Sequence, residues 1–165
     1  MEILRDPKKA VLISRVSVFN PQMKSTYIGG IAGATSEAFV EKSRVVGGSL
    51  LSHTVIGGLV GTLMGGEISH AYSTATVWGS FFGGGLVGHM GVPGYSEAKL
   101  TNSYSAGVVN FSSFSAKVGG LVGVSDNGGI IDRCMNLGTA WQVDLSSPSA
   151  VQQVIDVILD SNDGQ

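Results

Sequence analysis

Charge is what this chain has least of. Between Val45 and Ile131 only Glu67, Glu97, Lys99, Lys117 and Asp126 carry any. Over all 165 residues 13% are charged and the net charge is −2. That balance leaves no overall electrostatic footprint for nucleic acid or acidic lipid, so neither is expected as a partner. A single cysteine, Cys134, excludes an internal disulfide framework. The opening "MEILRDPKKAVLISRVSVF" lacks a signal-peptide arrangement, because Arg15 interrupts its apolar part and no small-residue cleavage site follows. The chain is therefore expected to bypass that export route or to be a piece of a longer one.

Several chemistries also lack their residues. No glycine is followed by Lys-Ser or Lys-Thr, which removes the P-loop, and there is no His-Glu-x-x-His. Gly83-x-Gly85-x-x-Gly88 has the dinucleotide spacing, but "HMGVPG" runs on from its last glycine and cannot start the helix whose N-terminus would hold a pyrophosphate. His53, His70 and His89 share no repeat position, so surface sites are expected for them, with no metal and no cofactor. Glu67, Glu97, Asp126 and Asp132 are the carboxylates that a polysaccharide-cleaving β-helix enzyme would need within about 5–9 Å of one another. So few acids and bases make that an alternative only, and the chain is expected not to be an enzyme.

Glycine, by contrast, is abundant, and it is periodic. "YIGGIAG" (27–33), "VIGGLVG" (55–61), "GGGLVGHM" (83–90) and "KVGGLVG" (117–123) are four versions of one phrase. Their first paired glycines, Gly29, Gly57, Gly84 and Gly119, are 28, 27 and 35 residues apart, the long interval coming from extra residues in "HMGVPGYSEAKL" and "NFSSFSAK". Each phrase is followed by a second: "VEKSRVVGGS", "ISHAYSTATV", "LTNSYSAGVV" and "IDRCMNLGTA". These align into an aliphatic column (Val40, Ile68, Leu100, Ile131), an outward polar column (Lys42, His70, Asn102, Arg133), a small column (Ser43, Ala71, Ser103, Cys134) and a glycine or alanine column (Gly47, Ala75, Gly107, Gly138). Such columns require equivalent side chains to stack on one another, as in a β-solenoid with coils about 4.8 Å apart. The β-branched and aromatic content favours strands, and Cys134 reads as a small packed residue rather than a nucleophile.

The fold class expected is all-β: a right-handed parallel β-helix, or a related glycine-rich solenoid, of about four repeats. Residues 1–26 are expected to cap it, with "AVLISRVSVF" as a covering strand. Residues 27–146 form the repeats. Residues 147–165 supply a capping helix, N-capped by Ser147 with Pro148 in its first turn, and a tail.

The pairing of "VGGLVG" with "I-x-x-S-Y-S-x-G-x-V" resembles the GLUG repeat of bacterial surface proteins, found in large adhesins and IgA-specific metallopeptidases. The resemblance spans roughly residues 27–140. It is best in "VIGGLVGTLMGGEISHAYSTATV" and "VGGLVGVSDNGGIIDRC", and weakest in the first copy, where Arg44 stands at the place of Tyr72 and Tyr104. It implies a cell-surface or secreted binding module facing a protein or glycan, and it implies no catalytic residue. Self-association by end or face stacking belongs to the same expectation.

The candidate binding residues are aromatic. "VWGSFF" and "VNFSSF" occupy equivalent places, so Trp78, Phe81, Phe82, Phe111 and Phe114 either make an outward apolar strip or alternate between surface and interior. A different class of reading is helical. Residues 45–66 and 69–96 contain no Asp, Glu, Lys or Arg, and Gly57-x-x-x-Gly61-x-x-x-Gly65 has glycine-zipper form, which together would suit two membrane spans. The repeat columns run through charged positions and argue against insertion.

Overall fold

The computed structural model describes residues 11–113 and 115–142. Its chain winds through about five coils. The first contains β1 (Val11–Ser14), β2 (Ser17–Phe19), β3 (Gln22–Gly29) and β4 (Ala32–Thr35); the second β5 (Ala38–Glu41), β6 (Arg44–Val46), β7 (Ser49–Gly57) and β8 (Val60–Leu63). The third holds β9 (Gly66–Ser69), β10 (Tyr72–Ser73), β11 (Thr76–Gly79), β12 (Phe82–Gly84) and β13 (Val87–Met90). The fourth holds β14 (Ala98–Thr101), β15 (Tyr104–Ser105), β16 (Val108–Phe111), β17 (Lys117–Gly119) and β18 (Val122–Ser125). Strands β19 (Ile130–Asp132), β20 (Met135–Asn136) and β21 (Thr139–Gln142) begin a fifth. Equivalent strands pair in parallel into four sheets, A to D in coil order.

The aliphatic column is a physical row: Ile13, Val40, Ile68, Leu100 and Ile131 are register partners along sheet A. It has five members because residues 11–26, expected as a separate cap, pair in register with the second coil and begin a coil of their own. Counting by glycine phrases missed this coil, since its first half precedes any such phrase. The first insertion lies where the 35-residue interval put it, in the loop 91–97 between β13 and β14, and the second falls between β16 and β17. The capping helix over 147–165 lies outside the described residues.

The turn from sheet A to sheet B explains two further columns. Arg15, Lys42, His70, Asn102 and Arg133 all adopt positive φ, between 48° and 59°. A non-glycine residue pays a steric penalty there. It is offset by the amide of each turn bonding the next coil, as Lys42 N–H does to Ser69 O (3.1 Å) and His70 N–H to Thr101 O (3.2 Å). The small residue that follows points inward. Ser103 Oγ donates to Thr101 O (2.7 Å) and accepts from Ala71 N–H (3.1 Å); Ser43 repeats this with Glu41 O and Val16 N–H. In the last column the register places Gly48, not Gly47, beside Ala75, because the second coil spends one more residue at this corner.

The glycine phrase closes sheet C onto sheet D. A Cβ on Gly57 would strike the Val60 carbonyl and lie 2.6 Å from Leu86 O, so the first paired glycine has backbone on every side. The second faces across the coil: Gly58, Gly85 and Gly120 abut the inward side chains of sheet B, Ser73, Ser105 and Asn136. The coil is thus pinched until opposite walls touch, and only hydrogen fits between them. Leu59 and Leu86, immediately after the glycine pairs, fill the interior with Leu50, Ile56, Leu63 and Met90.

Residues 45–66 and 69–96 form strands and turns, so the zipper glycines do not lie on a helix. Among the described residues no helix is long and apolar enough to cross a membrane.

Candidate binding surface

Strands β11 and β16 alternate their side chains between interior and solvent, and the register decides which aromatics emerge. Trp78 pairs with Asn110 and Leu51 in an outward column, and it is 46% exposed. Phe111 pairs with Gly79. It points inward, is 2% exposed, and its ring fills the space left by the absent side chains of Gly79 and Gly83. The outward strip is therefore broken. Phe111 is core, because one residue's difference in position along a strand reverses the face. Phe114 lies outside the described residues.

Phe81 and Phe82 do meet solvent. Their rings are 4.3 Å apart at 35°, Phe81 is 46% exposed and Phe82 is half-buried. They border a groove of about 410 Å³ along the outside of the corner between sheets C and D. Tyr27 and Val55 extend it into lower coils, in register with Phe82. Thr62 and His89, register partners on sheet D, form part of the facing wall. His89 packs 5.7 Å from Phe82 and its Nε2 lies 3.0 Å from Asp126 Oδ2; Lys117 Nζ sits 5.7 Å from the Phe82 centroid. An apolar floor with hydroxyls and the hydrogen-bonded His89–Asp126 pair at its rim suits a sugar ring or a peptide side chain. Tyr27 and His89 escaped the sequence reading. The signal for Tyr27 was present: it stands two residues before its glycine pair, as Phe82 does.

One coil of this corner is also where a known pattern lies. Residues 52–77 match the GLUG motif. The GLUG segment runs from Ser52 in β7 through the glycine turn and sheets D, A and B to Val77 in β11, which is one circuit of the solenoid. The Val55 and Thr62 walls of the groove belong to it. No curated protein and no solved structure matches the chain.

Each remaining chemical candidate is engaged by a different side chain. Glu67 accepts from Thr101 Oγ1 (2.7 Å), Glu97 pairs with Lys99 (3.4 Å), Asp126 with His89, and Asp132 with Arg133 (2.9 Å). Among the described residues no three of His, Cys, Asp and Glu converge as metal ligands would. Cys134 is half-buried against the core, its Sγ 3.3 Å from Asp132 O and 3.4 Å from Leu100 O. Burial pushes its thiol pKa up, outweighing the backbone hydrogen bonds from its neighbours, with the Asp132 charge adding to the rise. The thiol is thus protonated at neutral pH. Iodoacetamide at pH 7.5 is expected to label Cys134 at least ~10-fold more slowly in the folded protein than in urea. Equal rates would contradict this packing. Because the folded-state pKa is the higher one, this group's effect on stability turns unfavourable only as pH rises past the unfolded thiol's range.

Proposed function

We propose that the chain is a non-enzymatic structural or binding module of a bacterial cell-surface or secreted adhesin-type protein, presenting a rigid β face to a glycan or protein partner. The carrying observation is the groove at the sheet C–D corner, bordered by Tyr27 on β3, 54% exposed, and by Phe81 in the bend that leads into β12, 46% exposed. Exposed aromatics on a scaffold of this kind lose little conformational freedom on contact, which favours binding. The GLUG segment supports the surface location.

The test is a glycan array, with a panel of extracellular matrix proteins, probed with the chain and with a Tyr27→Ala/Phe81→Ala double variant. Both side chains are about half exposed and lie outside the core, so the variant is expected to melt within about 3 °C of the parent while losing at least ~10-fold in binding. Retention of every uncharged glycan and matrix protein regardless of the double variant would move the site elsewhere. Shortening of the retained glycan during incubation would replace the binding reading with an enzymatic one.

A further inference from the structure

A second cleft, of about 370 Å³, lies at the turn between sheets A and B, and its walls are basic. Arg15, Lys42 and His70 enter it from the positive-φ column, one from each of the first three coils; Ser17, Arg44 and Tyr72 enter from the outer column of sheet B. Arg44 is held in place: its Nε donates to Ser17 Oγ (2.9 Å), its Nη1 to Tyr72 Oη (3.4 Å), and its guanidinium lies 5.6 Å from the Phe19 ring centroid. Tyr72 is itself stacked on Tyr104, with ring centroids 4.8 Å apart at 6°.

No acid answers these charges among the described residues. Lys99–Glu97 and Arg133–Asp132 are ion pairs elsewhere, and Asp126 lies against His89. Glu41, next to Lys42 in the chain, lies on sheet A and accepts from Ser14 Oγ (2.9 Å). Three permanent cations are thus gathered, with a fixed guanidinium among them, in a protein whose net charge is negative.

We infer that this cleft binds acidic groups of a polysaccharide, sulfates or carboxylates carried on sugars. The inference goes beyond the groove reading and does not depend on it. A guanidinium held by its neighbours keeps its remaining N–H groups oriented for an oxyanion, and Lys42 adds a point charge. The hydroxyls of Ser17 and Tyr72 are suited to sugar hydroxyls. Extent separates this partner from nucleic acid. Arg15 stands one coil below Lys42 and Arg44, so the three cations span one coil rise, about 5 Å; further up the same column Asn102 is neutral and Arg133 is paired with Asp132. That suits two or three spaced anionic groups rather than the continuous phosphate track that nucleic-acid binding proteins follow through many contacts.

The column supplies its own conservative variants. Lys42→Asn installs the residue that holds the same positive φ at Asn102, and Arg44→Tyr prolongs the Tyr72–Tyr104 stack by one coil. Circular dichroism checks that each folds, and either variant suffices alone. The full chain is passed over surfaces of dextran sulfate, polygalacturonate, unsubstituted dextran and duplex DNA. Binding is expected on at least one acidic glycan and not on dextran, weakening by about 10-fold or more between 50 and 200 mM NaCl. Dextran sulfate against polygalacturonate tells sulfate from carboxylate. Each variant should weaken binding by at least ~5-fold, whereas Lys99→Gln, which removes one charge on sheet A, should stay within about twofold. The Tyr27→Ala/Phe81→Ala variant should bind the acidic glycan as the parent does, so failure here leaves the groove reading standing. No binding to either acidic glycan, equal losses for Lys99→Gln, or DNA held as tightly as the glycans would each overturn the assignment.

Discussion

Replacing Gly57 by alanine is expected to remove about 3 kcal/mol of stability or more, a large share of what a domain of this size has in reserve. The new methyl would strike the Val60 carbonyl and sit 2.6 Å from Leu86 O and 2.8 Å from Gly88 N. All three neighbours are backbone atoms. Leu59 and Val60 N–H both bond Leu86 O, at 2.9 and 3.0 Å, so relief would require unzipping two coils. Gly33 is the internal comparison. Its added Cβ would meet Tyr27 O at 3.0 Å and nothing else closer than 3.7 Å, in the first coil, so Gly33→Ala should cost less. Urea unfolding of the two variants decides the matter. A Gly57→Ala protein as stable as the parent would mean that the sheet C–D corner is not closed in this way.

Truncating Phe111 to alanine should cost about 3–5 kcal/mol, and truncating Trp78 less than about 1 kcal/mol. The larger aromatic thus has the smaller effect, because Trp78 stands in solvent while Phe111 packs against Gly79, Gly83 and Ile56. A coupling follows. A Cβ on Gly83 would overlap the Phe111 ring, so Gly83→Ala should be strongly destabilising alone and partly rescued by Phe111→Leu. Here a side chain is the obstacle and can yield, unlike the backbone around Gly57. Equal costs for Trp78→Ala and Phe111→Ala in chemical denaturation would restore the outward strip and undo the register.

The two cases mark where the reading of the sequence succeeds and where it stops. Glycine, aliphatic and small columns were legible because a coil repeat forces the same chemistry at the same corner each time. Ile68, Leu100 and Ile131 lie in a row as their spacing requires. The aromatic strip was not legible. "VWGSFF" and "VNFSSF" are equivalent segments, yet Trp78 falls opposite Asn110 and Phe111 opposite Gly79, and a strand exchanges faces at every residue. The first coil was hidden for a different reason: its opening half has Ile13 and Arg15 in the aliphatic and polar columns but no glycine phrase before them to anchor the count.

Periodicity alone determined that this chain stacks in parallel coils and that glycine lies at their tightest corner, since no other side chain fits where backbone meets backbone. Only the tertiary structure decided which aromatics reach water, how many coils there are, and that Arg15, Lys42 and Arg44 share a cleft. Composition averages charge along the chain, whereas stacking brings residues a full coil apart to within about 5 Å of each other. A net charge of −2 can therefore contain a concentrated patch of the opposite sign.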